Sequence, residues 1–187
     1  LPPRSTQIII ERLSFDTLLT LKNSHTLPYR HKAVTALIWE IKYNANPKAL
    51  QLAGQMLREE LLSLVEHELG KIVVIPVPMH PKRRSERGFN QTELICEAAF
   101  DNEMEVFEYM PHALLRMHHT PPQQTLPRRE RLKNMQSSMA VNSRAKIKGR
   151  VCVVVDDVAT TGATLREAKR ALLESGAYKV HCISLAR

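Results

Sequence analysis

Apolar positions along this chain follow two rhythms. Up to about residue 70 they recur at helical spacing, and from residue 71 they also gather in short unbroken runs. Starting at Tyr29, the positions Ala33, Leu37 and Ile41, with Val34 and Ile38 beside them, mark one amphipathic helix, which Asn44-Ala-Asn-Pro47 interrupts. Asn46 suits an N-cap with Pro47 at the first helical position. Leu50, Ala53, Leu57, Leu61, Leu64 and Val65 then carry a second helix to about Leu69, with Gly70 as its stop. The first 28 residues are less patterned. Ile8, Ile9 and Ile10 predict a short strand, and Ser14 caps a small helix through Leu18, Leu19 and Leu21.

The runs come next. Lys71 to Pro78 and Val151 to Val155 are continuous and largely β-branched, which suits strands buried on both faces of a parallel sheet. Pro76 predicts that pairing thins out near the end of the first. Lys179 to Leu185 is a third strand, and Ala113 to Arg116 a shorter one. Between them lie a long basic loop from Met79 to Asn90 and a helix containing Leu94, Ile95, Ala98 and Ala99. Another helix contains Leu165, Ala168, Leu172 and Leu173 and closes at Gly176. Met117 to Leu126 reads as an exposed loop, and Arg128 to Met135 as a short charged helix. The alternation predicts a single α/β domain with a doubly wound, mostly parallel sheet over residues 71–187, and a mostly helical portion, residues 1–70, packed on it.

The most informative stretch is Val151 to Thr164, V-C-V-V-V-D-D-V-A-T-T-G-A-T. A buried strand ends in two carboxylates, Asp156 and Asp157, and small and hydroxylated residues lead into a helix. Backbone N–H groups and the helix dipole converge at such a junction, which suits a phosphate monoester. Gly162 lets the backbone approach closely, and Thr160, Thr161 and Thr164 offer hydroxyl donors. The aspartates, one step earlier, are placed to accept from a diol. A ligand carrying phosphate at one end and ribose hydroxyls beside it matches both features. A Walker A loop requires Gly-Lys-Ser/Thr and the dinucleotide fingerprint requires three spaced glycines, and neither is present.

Composition narrows the picture modestly. An apolar content of 43% with 25% charged residues, in 187 residues, is that of an ordinary soluble globule. No run of about 18 apolar residues occurs, so no membrane insertion is expected. The start Leu1-Pro-Pro-Arg-Ser lacks the shape of a signal peptide. Cys96, Cys152 and Cys182 have no C-x-x-C spacing; Cys152 and Cys182 fall in strands and are expected to be buried free thiols. A reducing cytoplasm is the expected compartment. The eight histidines form no metal-binding pattern, and His118-His119 falls in the polar loop. The net charge of +8 favours polyanionic partners. Its cations cluster at Lys82, Arg83, Arg84 and Arg87, at Arg128, Arg129, Arg131 and Lys133, and at Lys146, Lys148 and Arg150.

The segment Val153 to Thr164 resembles the phosphoribosyl-pyrophosphate (PRPP) signature of type I phosphoribosyltransferases. Ile75-Pro-Val-Pro-Met-His-Pro-Lys-Arg-Arg-Ser-Glu-Arg-Gly-Phe-Asn-Gln91 and Gln124-Thr-Leu-Pro-Arg-Arg-Glu-Arg-Leu-Lys-Asn134 resemble two blocks of one branch, the ComF family (also called ComF/GntX), and Ile38-Trp-Glu-Ile-Lys-Tyr43 resembles the helical segment ahead of its core. This resemblance implies the type I phosphoribosyltransferase fold with a flexible hood. It implies PRPP binding by Asp156, Asp157, Ala159, Thr160, Thr161, Gly162, Ala163 and Thr164, the aspartates holding the ribose hydroxyls. It implies a pyrophosphate loop with Arg83, Arg84, Arg87 and Gly88, and a hood with Gln124, Thr125, Arg131 and Asn134. Asp156, Asp157 and Arg87 would be catalytic. Mg²⁺ would enter mainly through diphosphate and ribose oxygens, with no dedicated metal ligands in the protein. Many ComF proteins begin with a small Cys-rich zinc module, and no such cysteines occur in this sequence; Ser137-Ser138-Met139-Ala140 also departs from the family's usual Gly-Ala-Phe-like end.

Two functions are compatible with this resemblance. One is a PRPP-binding protein of DNA uptake and natural competence, with single-stranded DNA and the competence helicase machinery as partners. The other is an active phosphoribosyltransferase, in which a nitrogen nucleophile displaces pyrophosphate from the anomeric carbon of PRPP. An aromatic content of 5% leaves few stacking platforms and slightly disfavours a dedicated single-strand binder.

Overall fold

The computed structural model describes residues 3–68, 70–100, 105–117 and 138–187. Helices α1 (Pro3–Arg12), α2 (Phe15–Leu21), α3 (Lys32–Asn44) and α4 (Pro47–Val65) come first. They are followed by β1 (Ile72–Pro76), α5 (Pro81–Arg87), α6 (Gln91–Ala99), β2 (Phe107–Tyr109), β3 (Leu114–Arg116), β4 (Met139–Val141), β5 (Val151–Val158), α7 (Ala163–Glu174) and β6 (Lys179–Ala186). The main sheet is parallel throughout, in the order β2-β1-β5-β6, with Ile72 opposite Val151 and Val151 opposite Lys179. Strands β3 and β4 form a separate antiparallel pair.

Strand alternation assigns the two faces of the sheet. Ile72, Val74, Val151, Val153 and Val155 point into a core shared with α1 to α4 and α6, through Ile10, Leu37, Ile41, Leu57, Leu61 and Ile95. Val73, Ile75, Cys152 and Val154 point the other way, against Leu165, Ala168 and Leu172 of α7 and Leu114 and Met139 of the small sheet. Apolar side chains on both faces explain why β1 and β5 are continuous runs rather than alternating ones. Helices cover both faces, as the doubly wound reading expects.

The caps expected from sequence are present. Ser14 Oγ accepts from Thr17 N, and Asn46 Oδ1 accepts from Ala49 N with Pro47 at the helix start. Buried Glu40 links the N-terminal helices, accepting from the Thr6 hydroxyl and, at 2.8 Å, from Asn44 Nδ2.

Several expectations are corrected. Ile8 to Ile10 lie in α1, not in a strand. A triplet of isoleucines is ambiguous in period, and here Ile10 is buried at 1% exposure while Ile8 is 51% exposed, as the helical turn dictates. Helix α4 ends at Val65, earlier than the approach to Leu69 that its apolar spacing predicts. The basic stretch after β1 is not a simple loop. It contains α5, with His80 accepting from Lys82 N, Pro81 at the start and Gly88 closing it at φ 86°. Cys96 and Cys152 are buried, but Cys182 is exposed, because β6 lies at the sheet edge and its N-terminal half is only partly covered. Strands β2 and β4, three residues each, were not expected from the sequence. The hood positions Gln124, Thr125, Arg131 and Asn134, the second basic cluster and His118-His119 lie outside the described residues.

Candidate functional site

The alternation that builds the core continues to the carboxyl end of β5 and separates the two aspartates. Asp157 shares parity with Val151, Val153 and Val155 and therefore faces α3 and α6. Asp156 shares parity with Cys152 and Val154 and faces the small sheet. Each carboxylate has its own surroundings. Lys42 Nζ, from the last turn of α3, is 2.9 Å from Asp157 Oδ2. Gln91, the first residue of α6, donates to the same oxygen at 3.3 Å. On the other side, Arg116 at the end of β3 lies within the field of Asp156. Burial and the Arg83 cation push the Arg116 pKa down, and Asp156 acts in the opposite sense.

Both aspartates are enclosed, at 9% and 5% exposure, and each takes a backbone N–H: Asp157 N donates to Asp156 Oδ1 at 2.9 Å, and Val158 N to Asp157 Oδ1 at 2.8 Å. Burial first, and the adjacent Asp157 second, push the Asp156 pKa up to about 8. A carboxyl kept neutral in the fold and ionised in the unfolded chain favours folding fully below pH 3.8, its unfolded value. That contribution is lost as pH rises towards and through about 8. Asp156→Asn removes the titration, so the variant is expected to gain melting temperature relative to the wild type as pH rises from 5 to 8, with no further gain above 9. Thermal melts of the two proteins across that range check this, and a pH-independent difference would contradict it.

Beyond β5 the chain turns on Gly162, whose φ of 69° lies in the left-handed region, and enters α7. A Cβ at this position would lie 3.2 Å from Arg166 Nη1. Ala159 N bonds Ala186 O at 2.9 Å, fixing the start of the loop to β6. Arg166 folds back so that Nη1 donates to Thr161 O at 2.8 Å, and Thr161 Oγ1 accepts from Ala163 N at 3.3 Å. Thr160 and Thr161 are exposed, and the N-terminal turn of α7 opens beside them. Ala159 to Thr164 thus forms a turn from β5 into α7 that follows directly on the aspartates.

The basic segment is differentiated. Arg84 Nη1 pairs with Glu93 Oε1 at 2.8 Å, and Asn90 Nδ2 bonds the same carboxylate at 3.2 Å, which pins α5 to α6. Arg87 Nη1 donates to Gln91 Oε1 at 2.8 Å, and its Cζ lies 5.5 Å over the Tyr43 ring. Lys82 and Arg83 are exposed. The structure therefore links Arg87 through Gln91 to Asp157, sets Arg83 within the field of Arg116, and assigns Arg84 largely to holding the segment. Sequence reasoning missed Lys42, Gln91 and Arg116. Lys42 and Gln91 lay in recognisable blocks without a role being assigned, while Arg116 gave no local signal.

Residues 116–187 match the family model described as the phosphoribosyl transferase domain. The chain is 33% identical over 135 residues to the competence protein ComFC of Streptococcus pneumoniae, covering 71% of this chain and 57% of that protein. It is 32% identical over 114 residues to the DNA utilization protein YhgH of Escherichia coli K12, covering 61% and 48% respectively. Among solved structures, an allosteric regulatory enzyme of purine biosynthesis matches with 21% identity and a TM-score of 0.44, over 79% of this chain and 30% of that one. The chain spans about half the length of the curated relatives it matches. Among the described residues, no helix is long and apolar enough to cross a membrane. On these similarities the chain belongs to the ComF family of type I phosphoribosyltransferase-fold proteins.

Proposed function

We propose that this protein binds PRPP at the carboxyl end of β5 and handles single-stranded DNA in the cytoplasm during DNA uptake. The carrying observation is the paired carboxylate edge, Asp156 and Asp157, set directly ahead of the Gly162 turn and the open start of α7. In this reading Thr160 to Thr164 hold the 5′-phosphate through backbone N–H and hydroxyl groups, and the aspartates accept from the ribose hydroxyls. Arg83, Arg87 and Arg116 face the diphosphate, whose charge needs compensation in a partly enclosed site. The DNA part of the reading comes from the relatives, whose names refer to competence and DNA utilization.

Mg²⁺ fits as a companion of PRPP. Among the described residues no group of three or more His, Cys, Asp or Glu is arranged to hold a metal, but two carboxylates stand together at the site. One or two carboxylates with substrate oxygens completing the shell is the arrangement Mg²⁺ favours. Asp156 and Asp157 would hold it, and the ion would supply neutralisation of diphosphate charge.

The exposed cations of α5 separate DNA contact from PRPP contact. If single-stranded DNA runs along α5, Arg83→Ala should flatten the log–log salt dependence of DNA affinity by about 0.7. Arg84→Ala should change it far less, because Glu93 already neutralises that guanidinium. Filter binding or anisotropy across a salt series measures both slopes. Loss of PRPP binding in Arg83→Ala with an unchanged DNA slope would limit Arg83 to the diphosphate and count against DNA along α5. Sustained pyrophosphate release in the presence of a purine or pyrimidine base would instead establish the transferase reading.

A further inference from the structure

Helix α3 brings a second group of residues to the edge of this site. Trp39, Lys42 and Tyr43 stand at i, i+3 and i+4 and therefore share one face. Lys42 reaches Asp157, so this face is fixed beside the carboxylate edge. Trp39 and Tyr43 lie with ring centroids 5.0 Å apart and planes tilted by 42°. Tyr43 is 59% exposed, whereas Phe107 is buried at 7% in the core against Phe100. The low aromatic content thus understates what is available, because two of the chain's nine aromatic residues (Trp 1, Tyr 4, Phe 4) are paired at the site's margin.

An i, i+4 aromatic pair, here a half-buried Trp39 beside an exposed Tyr43, is by itself a small contribution to helix stability. Two further observations connect this pair to a ligand. Arg87 stacks over Tyr43 and, through Gln91, joins a continuous hydrogen-bonded path to Asp157: Arg87 to Gln91 at 2.8 Å and Gln91 to Asp157 at 3.3 Å. Helix α5, which carries Arg87, also displays the exposed cations Lys82 and Arg83. Aromatic faces beside a row of cations are what a single strand requires, with bases stacking on the rings and phosphates against the cations.

We propose that Trp39, Tyr43 and Arg87 form a base-stacking platform for single-stranded nucleic acid, held beside the PRPP site by Lys42 and Gln91. The proposal deepens the reading above and rests on it for the choice of ligand. A base on the platform is neutral and planar, its 5′ and 3′ phosphates lie along α5, and the Lys42–Asp157 pair holds the platform in position whether or not PRPP is present.

The test uses the only tryptophan in the chain as its reporter. The full chain is titrated with a twelve-residue oligothymidylate, with an abasic strand of equal charge, and with free thymine, following Trp39 emission and strand anisotropy together. Oligothymidylate should quench Trp39 emission, while the abasic strand should bind more weakly without quenching. Tyr43→Leu should weaken oligothymidylate binding about tenfold, the range expected for one lost stacking partner. Tyr43→Phe should restore binding to within about twofold, since the ring face is what stacks. Oligonucleotide binding without a change in Trp39 emission would overturn the platform, as would unchanged affinity in a folded Tyr43→Leu protein. Quenching by free thymine equal to that by the strand would overturn the assignment to nucleic acid. A parallel PRPP titration of the wild type separates the two readings. PRPP binding with an unresponsive Trp39 defeats the platform alone, and strand-dependent quenching without PRPP binding defeats the PRPP site alone.

Discussion

Asp157→Asn is expected to weaken PRPP binding by about 10- to 100-fold while changing inorganic phosphate binding by less than about threefold. The carboxylate is 5% exposed and fixed by Lys42 and Gln91, so its orientation is set before any ligand arrives. Asparagine keeps the shape and loses the charge, converting a charged acceptor for a ribose hydroxyl into a neutral one. Hydrogen bonds to charged groups are worth about 1.5–3 kcal/mol. In the proposed reading phosphate alone requires only the Thr160 to Thr164 loop, which the substitution leaves intact. Calorimetric titration with each ligand separates the two effects, and equal losses would refute the division between a diol edge and a phosphate loop.

The second large effect is on stability. Gly54 lies inside α4, where alanine would ordinarily stabilise the helix by about 1 kcal/mol. Here a Cβ would lie 2.6 Å from the backbone carbon and oxygen of Ala98 and 2.8 Å from its Cβ, so the sign reverses. The clash is with the backbone of α6, which cannot rotate away. Overpacking of this kind typically costs 1–3 kcal/mol, and valine adds two further methyl groups, so Gly54→Val should lose about 3 kcal/mol or more. For a chain of this size that is a fall in melting temperature of about 6–12 °C. Because α6 carries Gln91 and is capped by Asn90, displacement of α6 would also disturb the contact to Asp157. A valine variant melting with the wild type would show that α4 and α6 are not packed as described.

How much of this was legible in the sequence depended on length and period. Strands β1 and β5 are buried on both faces and announced themselves as uninterrupted apolar runs. Helices α3 and α4 are long enough to establish a period and carry recognisable start signals at their junction. The Asp156-Asp157 pair and the Gly162 turn were readable because strand, acids, loop and helix are contiguous. Helix α5 had local signals too, Pro81 just inside its start and Gly88 just past its end, but without a buried face it offered no apolar period. The roles of Lys42 and Arg116 were unreadable for a different reason. Their contribution depends on α3 and β3 ending beside β5, and that placement is tertiary. Likewise, the opposite facing of the two aspartates follows from the alternation of β5, but its consequence emerges only once each face has its neighbours.

The account stands most directly on one titration. PRPP is added to the wild-type chain in the calorimeter with Mg²⁺ present and again with it chelated, alongside the Asp156→Asn, Asp157→Asn double variant. Saturable one-to-one binding that depends on Mg²⁺ and is lost in the folded double variant is the predicted result. Binding of equal strength in the wild type and the double variant, or no binding to the wild type, would contradict it.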